Sequence, residues 1–162
     1  MGITWILAAD RSRARLFEVV RHSDSPNEIM DLANPAGRGR ERDIRSDNTG
    51  RFFGKGDRNQ GNAATPDTLP SDHETERFAD DIRNYLEHAR NEKRFGQLWI
   101  VAAPAFLGLL RNKFGKQLHA LIELEVNKDV TTDTPAEIFG IALKARGEHA
   151  EKEAESQPEA ES

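Results

Sequence analysis

Basic and aromatic side chains are concentrated between positions 38 and 60 of this 162-residue chain. Seven basic and four acidic residues give positions 38–58 a net charge of +3, whereas the whole chain carries −5. Guanidinium groups bind phosphate through paired hydrogen bonds, glycines allow close backbone approach, and adjacent phenylalanines can stack on bases. The candidate binding residues are Arg38, Arg40, Arg42, Arg45, Arg51, Phe52, Phe53, Lys55, Arg58 and Gln60.

Three interpretations of this segment stay open. It binds RNA or the ribosome, or its two phenylalanines contact a protein partner, or it is a solvated loop. The surrounding stretch, residues 34–71, is rich in Gly and Pro and has the period of neither a strand nor a helix. Loops of this length within a domain are usually functional or disordered. We favour RNA or ribosome binding.

Asp10 is the single weak candidate for a catalytic residue. It follows the first predicted strand, where a carboxylate could act in catalysis or bind a metal. We favour the alternative, a turn-capping Asp that accepts hydrogen bonds from the amides of Ser12 or Arg13. Lys128 and Asp129 are likewise either a local pair at a strand end, which we favour, or part of a site shared with Asp10.

The sequence contains no familiar catalytic or metal-binding motif. His73 and Glu74 do not form His-Glu-x-x-His because position 77 is Arg, so we interpret His73 as a helix-start residue. The remaining histidines lack metal-ligand spacing, and no P-loop, Rossmann or Gly-x-Ser-x-Gly motif occurs. The chain has no cysteine. We therefore predict no metal and no cofactor, and we favour a protein without enzymatic activity.

Hydrophobic patterns predict the element order β-β-β, long loop, α-β-α-β-α. The first three strands are predicted over residues 3–9, 13–21 and 28–32, and the first two form a hairpin. Capping boxes at residues 71–74 and 134–137 begin two helices. The first of these ends near a Gly96 cap and the second near Leu143.

The second half of the chain alternates strands and helices. Residues 98–102 are apolar on both faces, which indicates a central strand, and residues 121–126 alternate as a half-exposed strand. A short helix begins between them at Pro104. The predicted fold is a single α/β domain with a mixed sheet of about five strands, an antiparallel hairpin at its N-terminal side, parallel strands in its C-terminal half, and helices on its faces.

Charge divides the chain into two parts. Residues 146–162 carry −4 and residues 1–145 carry −1. We predict a domain over residues 1–145, with its long loop at 34–71, and a disordered acidic tail over 146–162. The apolar run at residues 3–9 is too short for a signal peptide or a membrane span, so we expect a cytoplasmic protein without membrane association. The oligomeric state is left open.

Four stretches together resemble a known family. They read WILAADRSRARLFE at 5–18, HETERFA at 73–79, LWIVAAPAFLGLLR at 98–111 and KDVT at 128–131. Over about residues 3–143 the chain resembles the bacterial host-attachment proteins, which are named for a requirement in attachment to host cells.

That family is similar to the middle domain of archaeal and eukaryotic peptide-chain release factors and of Pelota. The resemblance implies the arrangement strand, long loop, long helix. In release factors the loop carries Gly-Gly-Gln, which enters the peptidyl-transferase centre, but here the corresponding stretch, residues 58–62, reads RNQGN. The resemblance therefore does not imply peptidyl-tRNA hydrolysis, and it leaves contact with the ribosome or tRNA as an expectation.

Three functional hypotheses follow from the sequence. The leading one is a non-enzymatic binding protein whose Arg/Gly-rich loop contacts RNA or the ribosome through residues 38–60. The alternative is a protein–protein interaction factor in attachment to host cells. The third is a hydrolase that uses Asp10 and loop residues.

Overall fold

The computed structural model describes residues 2–36 and 69–156, with side chains as far as Glu148. The strands are β1 (Thr4–Ala9), β2 (Arg13–Glu18), β3 (Asn27–Ala33), β4 (Gln97–Ala102) and β5 (Ile122–Asn127). The helices within these ranges are α1 (Asp72–Asn91), α2 (Pro104–Lys113), α3 (Lys116–His119) and α4 (Pro135–Ser156).

The five strands form one mixed sheet in the order β3-β2-β1-β4-β5. β1 pairs antiparallel with β2, and β2 with β3, whereas β4 runs parallel to both β1 and β5. The predicted fold class is confirmed, including the N-terminal hairpin and the parallel C-terminal half. The three parallel strands direct their carboxyl ends to one edge of the sheet.

Side chains of β1 alternate between two apolar layers. On one face Leu7 belongs to a core cluster shared with Ile82 of α1 and Leu110 of α2. On the other face Ile6 belongs to a cluster shared with Ile138 of α4. Because β1 and β4 are covered on both faces, they read as continuous apolar runs in the sequence.

Both predicted capping boxes are present. At the start of α1, the Ser71 hydroxyl accepts from the Glu74 amide (3.1 Å), and the Glu74 carboxylate accepts from the Ser71 amide (2.9 Å). Thr134 and Glu137 form the same reciprocal pair at the start of α4, at 2.9 and 3.1 Å. These motifs satisfy amides that a helix start leaves without intrahelical partners.

The end of α1 differs from the prediction, because Gly96 is not its cap. Lys93 takes a left-handed conformation (φ 59°), and its amide donates to the Arg90 carbonyl at 2.9 Å. The next amide, of Arg94, donates to the Ala89 carbonyl at 2.9 Å, which completes a Schellman motif. The amide of Gly96 instead donates a hydrogen bond to the Ile3 carbonyl at 2.8 Å, beside the start of β1.

Two further element ends and one short helix also differ from the prediction. β2 ends at Glu18 rather than near Arg21, and α3 was not predicted. The largest difference is at α4, which runs to Ser156, so residues 146–156 of the predicted disordered tail are helical. Ala, Glu and Lys are strong helix formers, so a helix begun by packing and a capping box can continue through them without burying a face.

Candidate functional site

A cavity of about 510 Å³ lies at the carboxyl edge of the parallel strands. Residues 10–12, which follow β1, form one wall, and the first turns of α1 and α2 form others. The lining residues are Asp10, Arg11, Ser12, Leu69, Asp72, Thr75, Glu76, Ala103, Ala105, Phe106, Leu109 and Asp129.

Asp10 makes the hydrogen bonds predicted for a turn-capping residue. Its Oδ1 accepts from the amides of Ser12 (2.8 Å) and Arg13 (2.9 Å). Its Oδ2 accepts from the Thr131 hydroxyl at 3.0 Å. Both carboxylate oxygens therefore have a structural role in holding the turn after β1.

Thr131 connects Asp10 to Asp129. Thr131 is a buried residue. Its hydroxyl oxygen lies 3.0 Å from Asp10 Oδ2 and 3.2 Å from Asp129 Oδ1. A hydroxyl carries one proton, so it can donate to only one of the two carboxylates at a time. The structure thus brings Asp129 to the same edge as Asp10. Thr131 lies in the family-like stretch KDVT, but no sequence pattern indicates its role as a bridge.

Arg11 contacts both flanks of the Arg/Gly-rich segment. Its guanidinium donates to the Pro70 carbonyl at 2.6 Å and lies 3.5 Å from Asp72. Its carbonyl accepts from the side-chain amide of Asn34 at 2.9 Å. The backbone amide of Asn34, a buried residue, also donates to the Ser12 carbonyl at 2.8 Å. Asn34, just after β3, and Pro70, just before α1, therefore both lie beside Arg11.

Two arginines on β2 fix the neighbouring strand and loop. Arg13 makes a two-pronged ion pair with Asp31 at 2.7 and 2.9 Å, and this hydrogen bonding raises the pKa of the Arg13 guanidinium above its usual value. Arg15 pairs in the same way with Glu28 at 2.8 and 2.9 Å. The remaining nitrogen of Arg15 donates to the carbonyls of Thr131 (2.9 Å) and Asp133 (2.7 Å). Arg15 thereby positions the loop that carries Asp129 and Thr131.

The ten candidate binding residues of the sequence analysis, from Arg38 to Gln60, lie outside the described residues. Within the described ranges, no three His, Asp or Glu side chains are grouped closely enough to hold a metal ion. Across residues 2–36 and 69–156, no helix combines the length and apolar character needed to cross a bilayer.

Comparison with protein families identifies the family of this chain. A family model described as "Protein required for attachment to host cells" matches residues 5–140. The chain belongs to this family. The matched residues span the strands, α1, α2 and the positions of Asp10 and Thr131, so the host-attachment family is confirmed over the body of the domain. No curated protein matches the chain by sequence.

Among solved structures, the host-attachment chain is weakly similar to the archaeal translation termination factor aRF1. The TM-score is 0.41 and the sequence identity is 10%. The superposition covers 95% of this chain and 41% of the termination factor.

Proposed function

We propose that this member of the host-attachment family is a non-enzymatic binding protein whose Arg/Gly-rich segment, residues 38–60, contacts RNA, either free or in the ribosome. The observation that supports this proposal is the anchoring of both flanks at Arg11. Its carbonyl holds Asn34 and its guanidinium holds Pro70, at 2.9 and 2.6 Å. Asn34 and Pro70, which flank the segment that contains the seven basic residues of positions 38–58, thus both contact a residue at one edge of the sheet.

The charge of the segment suits a polyanion. The segment carries +3 in a domain that is close to neutral, so attraction to phosphate would be local and not a property of the whole surface. Phe52 and Phe53 would add stacking on unpaired bases, which tolerates any sequence. We propose a cytoplasmic location, where such RNA is present.

Salt dependence tests the proposal directly. If three to five phosphates of a single-stranded RNA are neutralised, log affinity should fall against log salt with a slope of roughly −2 to −3.5. Fluorescence anisotropy with a labelled RNA gives this slope, and co-sedimentation with ribosomes gives the second readout. Absence of binding to both RNA and ribosomes at about 50 mM salt contradicts the proposal.

Two sets of substitutions locate the contact. Changing Arg38, Arg40, Arg51 and Arg58 together to Ser should flatten the slope, because fewer counterions are released. The matched control removes the same number of positive charges from exposed positions elsewhere, and it should leave the slope unchanged. The control residues are Arg21, Arg77, Lys116 and Lys144. An equal effect of both sets would place the contact on another surface.

Phe52 and Phe53 provide a different signature. Changing both to Ala should weaken binding by about 1–3 kcal/mol per stacked base, with little change in the salt slope. Stacking does not release counterions, so affinity and slope separate in this variant but change together in the Arg variant.

The family description favours a second candidate, a protein–protein interaction factor in attachment to host cells. In that case the phenylalanines would contact a protein, and the Phe variant would lose that partner while RNA binding stays absent in the unmodified protein. A hydrolase that uses Asp10 ranks third, because both oxygens of Asp10 accept hydrogen bonds within the domain.

A further inference from the structure

The cavity at the carboxyl edge lies where the sheet changes its direction of winding. After β1 the chain turns to β2 on one side, and after β4 it passes through α2 and α3 to β5 on the other side. β1 and β4 are adjacent and parallel. The crevice outside the carboxyl ends of two such strands is the usual ligand site in open α/β sheets. The residues that follow these two strands line the cavity, and they are Asp10–Ser12 after β1 and Ala103, Ala105 and Phe106 after β4.

The size and walls of the cavity suit a small molecule. Its volume of about 510 Å³ lies inside the range of about 300–1,000 Å³ found for small-molecule pockets. Much of the wall is apolar and is contributed by Leu69, Ala103, Ala105, Phe106 and Leu109. Binding of a ligand with an apolar body would therefore remove apolar surface of both the ligand and the cavity wall from water, which favours binding.

The described charged residues that line this cavity are mostly acidic. Among the residues that the structure describes, four carboxylates line the cavity, those of Asp10, Asp72, Glu76 and Asp129, together with one guanidinium, that of Arg11. Arg11 directs its Nη2 at Pro70 and Asp72, whereas its buried Nε has no hydrogen-bond partner among the described residues. Outside the lining, Lys113 lies 3.7 Å from Glu76 but also 3.3 Å from Asp80, so its charge is shared with an acid that does not line the cavity.

The acids do not converge as metal ligands do. Among the described residues, no group of three acidic or histidine side chains could hold a metal ion. Carboxylates spread around an apolar cavity match a larger ligand that carries its positive charge on an apolar body. We propose that this cavity binds a small organic cation, an amidinium, guanidinium or ammonium group attached to an apolar stem or ring.

The proposal is tested with three probes of nearly equal size and shape, which are benzamidine (cationic), benzamide (neutral) and benzoate (anionic). Each is titrated into the full-length, ¹⁵N-labelled protein at low salt. Benzamidine should shift the amides of Ser12, Ala105 and Leu109, which surround the cavity, with a Kd on the order of 1–10 mM for a molecule of this size. Benzamide should bind more weakly, and benzoate more weakly still.

Neutral variants of the lining acids identify the groups responsible. Glu76→Gln and Asp129→Asn alter exposed residues of the cavity lining, so the fold should be retained. Each should weaken benzamidine binding by about two- to fivefold, the range of one exposed ion pair. Asp81→Asn is the matched control, since Asp81 is exposed on α1 but does not line the cavity. It should leave benzamidine binding unchanged.

Three results would overturn the proposal. They are equal shifts with benzoate and benzamidine, shifts by benzamidine outside the cavity lining, and an equal loss of affinity in Asp81→Asn. The titration contains no RNA, so its failure would leave the proposed RNA contact untouched, and loss of RNA binding would leave the cavity proposal untouched.

Discussion

Arg13 and Arg15 lie two positions apart on β2, and their ion pairs have the same geometry in different surroundings. The Arg13 side chain is 39% exposed and its partner Asp31 is 48% exposed, whereas the Arg15 side chain is 8% exposed. Arg15 also stacks on Phe17, with its guanidinium carbon 5.0 Å from the ring centre. Removal of Arg15 would leave Glu28 and the Asp133 carbonyl without their arginine donors, and it would leave the Thr131 carbonyl with only the longer contact from Arg13, at 3.3 Å. Removal of Arg13 would break that longer contact and the ion pair with Asp31, which is already half exposed.

The two substitutions should therefore differ in their cost. Arg15→Ala should lower the free energy of unfolding by about 2–4 kcal/mol. This loss is smaller than the loss expected when one partner of a fully buried ion pair is removed, because Glu28 is partly exposed. Arg13→Ala should cost about 0–1 kcal/mol. Urea denaturation near pH 7 measures both. The hydrogen bond to Asp31 raises the pKa of Arg13, so the contribution of its charge is fully present near pH 7 and is lost only in strong alkali, and pH does not bias this comparison. Equal costs would show that Arg15 does not hold the loop.

Residue-level prediction from sequence succeeds where the partners are local. The capping hydrogen bonds of Asp10 join residues two and three positions apart, and turn chemistry predicts them. The contact between Asp10 and Thr131 spans 121 positions. No local pattern encodes such a contact, because it depends on the parallel pairing of β1, β4 and β5. The sequence accordingly left open whether Asp129 and Asp10 are close.

At the scale of elements, α4 continues past the predicted start of the tail, as far as Ser156. Its first half packs on the sheet through Ile138, Phe139 and Ala142, all buried. Beyond Ala145 the described side chains, to Glu148, are exposed. The prediction used burial as its criterion and ended the helix where burial ends. Helix propensity continues past that point, so the element boundary and the boundary of packing are separate properties.

Substitutions at two glycines of α4 can distinguish the packed part of the helix from the part that continues beyond it. A Cβ added at Gly140 or at Gly147 would meet no atom within 4 Å, so Ala fits at both positions. Gly140→Ala lies in the packed part and should raise the free energy of global unfolding by about 0.5–1 kcal/mol. Gly147→Ala lies beyond the packed part, where the helix can open alone, so it should raise helicity with a smaller effect on global unfolding. Urea denaturation followed by circular dichroism measures both. An equal gain would show that the whole of α4 unfolds with the domain.

At the scale of the whole molecule, charge is distributed unequally. Positions 38–58 carry +3, the lining of the cavity is acidic, and residues 146–162 carry −4. A chain with a net charge of −5 should repel RNA on average. The affinity of the basic segment for RNA would therefore depend on the distance over which the acidic residues repel RNA. That distance is set by salt, since the Debye length is about 10 Å at 0.1 M and about 3 Å at 1 M.

Changing Glu151, Glu153, Glu155, Glu159 and Glu161 to Gln tests this dependence without shortening the chain. These substitutions remove five of the six acidic charges beyond position 145. If RNA binds the basic segment, the variant should bind it more tightly than the unmodified protein at about 20–50 mM salt, because repulsion and competition for the arginines are both reduced. The two affinities should converge as salt approaches 0.5 M, where screening removes the difference. Anisotropy titrations across this range measure it. A gain that persists at high salt would indicate a changed structure, and no gain at low salt would show that the acidic residues do not influence the RNA contact.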